Sequence, residues 1–273
     1  MIFTKNKLAL LGLFILAVLI FVSIFAVDLA PFDPSTLHLE EGLNGPSLHH
    51  PFGQDKLGRD ILSRMVYGSR ISLMVGLTVV AISLMVGVTI GSIAGYSGGM
   101  LDETIMRIVD IFLAFPGILL AIAITAVLGP SLRNVLIALC LMGWVGYARI
   151  IRGQILSVRE LEYVQAARTI GASPVRILIR HILPNIMAPV IIEATFGMAG
   201  AITAEAGLSF LGLGVQPPTP SWGSMLAEGR QFLLMAPHLT TFPGLAIMLT
   251  VLGLNFLGDG LRDAMDVRQA GRD

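Results

Sequence analysis

Residues 165–185 read QAARTIGASPVRILIRHILPN, a basic and polar stretch set between long apolar runs. Ala166, Ala167 and Arg168 suit a helix, and Gly171 interrupts it. Ser173 followed by Pro174 is a helix start, a capping hydroxyl and then proline at the first helical position, where no N–H partner is needed. Val175, Leu178, Ile179 and Ile182 follow at helical spacing and form one apolar face. Arg176 and Arg180 lie one turn apart on another face. Pro184 is expected to end the element, because proline lacks the donor that continues a helix. A basic amphipathic hairpin of this length reads either as a connector lying on a membrane surface or as a docking point for something soluble.

The surroundings decide that a membrane is involved. The 273 residues are 55% hydrophobic and only 13% charged, with a mean hydropathy of +0.81. Soluble domains carry about 25% charged residues, so this chain lacks the side chains for a large water-facing surface. Thirty glycines and fourteen prolines are compatible with membrane helices whose backbones are covered by neighbours. A formal net charge of zero gives no electrostatic footprint for nucleic acid. Cys140, alone in an apolar run, has no disulfide partner and reads as a small core residue.

Taken in order, Lys5 and Lys7 precede Leu8–Val27, an uncharged run of about the 20 residues that cross a bilayer. A signal peptide would be shorter and end in a small-x-small site, so an uncleaved helix is expected. Residues 28–70 form the one substantial hydrophilic loop, with Arg59–Tyr67 expected as a short helix leading to the next span. His38, His49 and His50 lie in that loop without the spacing of a metal site. Residues 71–101 carry no charge, and their membrane part is expected to end near Gly95. Gly87, Gly91 and Gly95 recur every fourth residue along this segment, a groove for close helix approach.

Tyr96–Glu103 reads as a short loop, and Ile111–Leu132 as a third span kinked at Pro116. Asn134–Ala148 is a fourth, with Arg133 and Arg149 near opposite interfaces. A fifth runs from Ile186 to about Gly207 and contains Glu193 and Glu205. Carboxylates in hydrocarbon are costly, so Glu193 is expected to face protein or a water-filled path, and Glu205 either that or the interface. Trp222, in a glycine- and proline-rich stretch, reads as an interface anchor. The last span begins near His238 and ends by Gly258, leaving a charged tail. The organisation expected is therefore 1–70, a first helix with its loop; 71–258, a core that includes the 160–185 loop; and 259–273, a tail.

Six spans put both termini on one side. That side would hold Lys5, Lys7, Arg107, Arg149, Arg152, Arg159, Arg168, Arg176, Arg180, Arg262, Arg268 and Arg272. The other would hold Lys56, Arg59, Arg64, Arg70, Arg133 and Arg230. The excess places the termini and the 160–185 loop in the cytosol and the 28–70 loop outside.

The stretch Gln165–Asn185 resembles the cytoplasmic "EAA" loop of bacterial ABC importer permeases: Ala166, Ala167, Gly171, Ile182, Leu183 and Pro184 stand at its characteristic positions, with Gln165 where many members have glutamate. FGQDKLGRDILSRMVYGSRISL at 52–73, GYSGGMLDETIMRIVDIFLAFP at 95–116, LSFLGLGVQPPTPSWGSML at 208–226 and NFLGDGLRDAMD at 255–266 are similar to the C-type permease of the dipeptide/oligopeptide/nickel group. Gln54 departs from the threonine usual there. The resemblance implies an all-α, six-helix inner-membrane subunit of the type I importer arrangement. It implies pairing with a related B-type permease, two cytoplasmic ATPases that bind ATP and Mg2+, an extracytoplasmic solute-binding protein, and short peptides as cargo. It also implies that the loop docks on the ATPase; the coupling-loop residues are then Ala166, Ala167, Gly171, Ser173, Pro174, Arg176, Arg180 and Pro184, with Arg176 and Arg180 expected to meet acids of the ATPase and the 175/178/179/182 face its cleft. Lysine occurs only at 5, 7 and 56, so no Walker A motif exists and ATP hydrolysis is expected in other chains.

Three other readings compete. A nickel or nickel-chelate importer belongs to the same group. An ion-coupled secondary transporter would use a membrane acid such as Glu193 but would leave the basic hairpin without a task. An intramembrane enzyme needs paired histidines with a carboxylate, or a serine beside a base, and Glu193 has no histidine one turn away.

Overall fold

The computed structural model describes residues 6–270, with side chains to Met265. Its long elements are α1 (Lys7–Ile24), α2 (Ile61–Ser97), α3 (Gly99–Ala114), α4 (Gly117–Leu128), α5 (Leu132–Val158), α6 (Glu162–Thr169), α7 (Pro174–Phe210), α8 (Trp222–Gly229) and α9 (His238–Ala270). Five of these, α1, α2, α5, α7 and α9, are long and apolar enough to cross a membrane. The pair α3 and α4, bent by 80° at its break, is a sixth segment of that kind. The chain is an all-α, multi-pass membrane protein.

Several boundaries differ from those expected. Arg59–Tyr67 is not a separate helix, because α2 starts at Ile61 under the cap of Asp60, whose carboxylate accepts from Ser63 N, and runs 37 residues unbroken. No loop spans 96–103: the glycine pair reduces it to Gly98, at φ +66°, and α3 starts at once. Pro116 does more than kink a single span. The break at Phe115–Pro116 separates two helices, and the second has only 12 residues, about 18 Å of rise, too short to cross alone. The last helix continues past Gly258 to Ala270, since Asp259–Met265 has no proline and a single glycine, Gly260, costs only about 1 kcal/mol. Lys5 and Arg272 lie outside the described residues, as does the side chain of Arg268.

Helices in lipid are held by close packing and hydrogen bonds more than by exclusion of water. The glycines show where that packing occurs. A Cβ on Gly91 would lie 2.6 Å from Ala148 O and 3.0 Å from Ile151 Cβ. On Gly95 it would lie 3.0 Å from Arg152 O, and on Gly87 it would meet Tyr147 Cβ and Trp144 O. The stripe thus seats α2 on α5. Gly12 does the same for α1 against α9, with Gly253 O at 2.6 Å.

At the end of the bundle that carries the 28–60 loop, three buried charges and the half-buried Glu228 form a closed square. Asp55 Oδ2 accepts from Arg59 Nε at 2.6 Å and from Arg64 Nη1 at 2.5 Å. Glu228 accepts from Arg59 Nη2 at 2.7 Å and from Arg64 Nη2 at 3.3 Å. Paired this way the four charges cancel, so loop, α2 and α8 are fixed to one another without a stranded ion. Trp222 belongs to this cap and is not an interface anchor. It is buried to 1% exposure, and its Nε1–H donates to Met65 O at 3.0 Å.

Candidate functional site: the 160–185 loop

At the opposite end, α6 ends in a left-handed turn. The N–H of Gly171 donates to Arg168 O at 2.9 Å and that of Ala172 to Ala167 O at 3.1 Å, with Gly171 at φ +79°. This is a Schellman cap with glycine at its left-handed position. Ser173 then starts α7, its hydroxyl accepting from Arg176 N at 3.4 Å, with Pro174 in the first turn. The loop is therefore a helix, a sharp reversal and a second helix.

Pro184 does not end the second helix. The backbone passes through a π-helical turn, Leu178–Ile182, and continues into the membrane segment to Phe210. A π turn closes i→i+5 and so tolerates a residue that has no donor for the usual α-helical bond. The same turn changes which residues share a face. Five residues span about 140° beyond a full turn of α-helix but lie nearly in line across a π turn. Ile177 and Ile182 accordingly point the same way, and both are buried at 1% and 0% exposure. The expected face of Val175, Leu178, Ile179 and Ile182 is split: Ile182 is inside, Leu178 is half-buried, and Val175 and Ile179 are 65% and 59% exposed.

The inward side builds one continuous core. Ile151 and Ile155 of α5, Val164 and Ala167 of α6, and Ile177, Ile182 and Ile186 of α7 pack together, with Tyr96 of α2 against them. Where this cluster leaves the bilayer, water exclusion adds to packing, at about 25 cal/mol per Å2 of apolar surface buried. The outward side presents Ile170, at 85% exposure, with Val175 and Ile179, and exposed Arg176 and Arg180 beside them. Among the described residues neither arginine forms an ion pair in this chain. Ala166 is exposed on α6 and Ala167 buried, so the expected loop residues divide between an inner and an outer face.

The two membrane acids behave differently. Glu205 is fully buried, accepts a 2.6 Å hydrogen bond from Ser209 Oγ, and so faces protein. Glu193 is half-buried and shares a helical face with Gly197, Gly200 and Ala204, which line a cavity of about 230 Å3 together with Gly117, Gly143 and Ala201. A cysteine at 193, in a Cys140-free background, is expected to react with a membrane-impermeant, water-soluble thiol reagent. Reaction only with a lipid-soluble reagent would place it against the bilayer and contradict this.

Residue-by-residue reading missed the charges that α3 supplies. Asp102 accepts two 2.6 Å hydrogen bonds from Arg152, and Asp110 pairs with Arg149. Arg149 and Arg152 of α5 are therefore each neutralised by a neighbouring helix. The acids eight residues apart along 99–114 were the available signal. Among the described residues no group of three or more His, Cys, Asp or Glu side chains is placed to hold a metal ion, and His38, His49 and His50 form none. His50 Nδ1 instead lies 2.9 Å from Asp60.

Residues 87–271 match the family described as binding-protein-dependent transport system inner membrane component. Residues 1–46 match the N-terminal TM domain of oligopeptide transport permease C. The chain is 50% identical over 262 residues to the dipeptide transport system permease protein DppC of Alkalihalophilus pseudofirmus, covering 96% of this chain and 86% of that one. It is 47% identical over 270 residues to the glutathione transport system permease protein GsiD of Escherichia coli, covering 98% and 89%. Among solved structures, an inward-facing conformation of the MetNI methionine ABC transporter matches with a TM-score of 0.61 at 20% identity, over 74% of this chain and 97% of that chain. At that identity the match speaks for the fold alone.

Proposed function

Because the chain belongs to the family of binding-protein-dependent transport system inner membrane components, we propose that it forms, with a second permease, the path of an ATP-driven importer of short peptides. The outer face of the 160–185 loop would dock on a separate ATPase. The observation that carries the docking role is the outward face of Ile170, Val175 and Ile179 with Arg176 and Arg180. An apolar ridge flanked by unpaired cations suits an acid-rimmed apolar cleft. The loop would lie in the cytosol with both termini, a placement that the excess of positive residues supports. Two ATPases would bind ATP and Mg2+, a solute-binding protein would dock at the 28–60 end, and lipid would cover faces such as that of α1, where Phe14 is 66% exposed. The cargo class is supported by the likeness to dipeptide and glutathione permeases.

The experiment is purification of the intact complex with its binding protein, mass spectrometry of the bound solute, and uptake of a labelled dipeptide into proteoliposomes. Peptide in the binding protein and ATP-dependent uptake are expected. Nickel or a chelate in place of peptide would overturn the cargo. Uptake that follows an ion gradient without ATP would overturn the mechanism.

A further inference from the structure

α2 runs from the charge square at one end of the bundle to the loop at the other, 37 residues without a break, about 55 Å. Its final turn is gripped from two sides by the segment that leads into and forms α6. Arg159 Nη1 donates to Gly95 O at 2.9 Å, satisfying a carbonyl at the negative end of the helix. Arg168, in the last turn of α6, holds its guanidinium carbon 5.2 Å from the centroid of the Tyr96 ring. Tyr96 is half-buried, with its body against the core that contains Val164 and Ala167. Arg168 itself is exposed and stands two residues before Ile170, on the outward face. It therefore touches α2 while remaining beside whatever docks there.

The other features of α2 make this grip consequential. Gly87, Gly91 and Gly95 leave no clearance against α5, and close-packed helices shift as units. At the far end Arg64, on α2, is locked to Asp55 and Glu228. A displacement of the Arg168–Tyr96 contact would thus be carried along a close-packed element toward the cap at the other end of the bundle.

We propose that Tyr96, held by Arg168, is the positioning residue through which movement of the loop reaches α2, a reading that rests on the coupling role proposed above. The contact is a cation–π pair, so it depends on an aromatic face and a cation and not on the tyrosine hydroxyl.

The test measures solute taken up per ATP hydrolysed by the reconstituted complex with its ATPases and binding protein, beside basal ATP hydrolysis and complex yield. Tyr96→Leu keeps an apolar body and removes the ring face; uptake per ATP is expected to fall about fivefold. Tyr96→Phe keeps the face and is expected to stay within about twofold of the parent. Arg168→Gln, at an exposed position, is expected to fall like Tyr96→Leu, and the double variant no further. This variant keeps the test decisive if Tyr96→Leu lowers yield. A parental ratio in Arg168→Gln, or losses that multiply in the double variant, would overturn the contact as the route. If the ratio is parental in Arg168→Gln while Gly171→Pro uncouples, the contact is wrong and the loop's role stands. If Gly171→Pro is also parental, the coupling role itself is wrong.

Discussion

A complex carrying Gly171→Pro inserts with all its membrane segments but loses ATP-linked uptake, at least tenfold below the parent. Gly171 sits at φ +79°, whereas proline is confined near −65°. The substitution also deletes the N–H that donates to Arg168 O. The Schellman reversal cannot form, and the cost is on the order of 3 kcal/mol or more. The loop's net charge is unchanged, and the apolar segments that partition into the bilayer are untouched, so insertion and topology hold. The reversal sets the angle between α6 and the start of α7, and with it the shared position of Ile170 and Val175 on the outer face. Subunit stoichiometry, substrate-stimulated ATP hydrolysis and uptake are measured together. The expected result is loss of the ATPase, or retention of it with hydrolysis no longer tied to uptake. Gly171→Ala, which costs about 1–2 kcal/mol in a left-handed turn, should fall between. All three quantities at parental values would mean that the loop does not couple.

Gly91→Leu is expected to cut the yield of assembled complex to below about a tenth of the parent's. Overpacking a core costs about 1–3 kcal/mol when side chains can adjust, but here the first added carbon already meets a backbone oxygen, Ala148 O, at 2.6 Å. The helices must separate, and the separation breaks the neighbouring approaches at Gly87 and Gly95 as well. Detergent-solubilised yield and thermal stability of the purified chain report it. A variant with parental yield and melting would show that α2 and α5 do not pack through this stripe.

What the sequence made readable was set by signals stronger than their local exceptions. Uncharged runs such as Leu8–Val27 have one physical solution in a chain this apolar, and the four-residue glycine repeat marks a close approach whichever helix supplies the partner. The Ser173–Pro174 start and the Gly171 break rest on backbone chemistry that needs no tertiary context, and both lie where the residues imply. Other features depend on neighbours that are remote in sequence. Trp222 has the composition of an interface residue, and only the carbonyl of Met65, 157 positions away, makes it a buried one. Asp55, Arg59, Arg64 and Glu228 each read as loop or helix-entrance charges until folding closes them into a square. The face of the loop differs from the expected one because the periodicity rule assumes 3.6 residues per turn throughout. The π turn at 178–182 exchanges Val175 for Ile177 on the inner side. Pro184 reads as a stop for the same reason, since a local rule cannot anticipate the wider turn that accommodates it.

The central claim is that the outer face of the loop is where an ATPase docks, and covalent capture there tests it most directly. A photo-reactive benzoylphenylalanine replaces Ile179, which is 59% exposed, in the complex assembled with its ATPases in native membranes. The same substitution at Leu77, 64% exposed in the middle of α2, serves as the comparison. Irradiation is expected to give an adduct between this chain and the ATPase from position 179 and none from position 77. An adduct at 179 with lipid alone, or no ATPase adduct in a complex that contains the ATPase, would show that the loop lies on the membrane surface and would contradict the account.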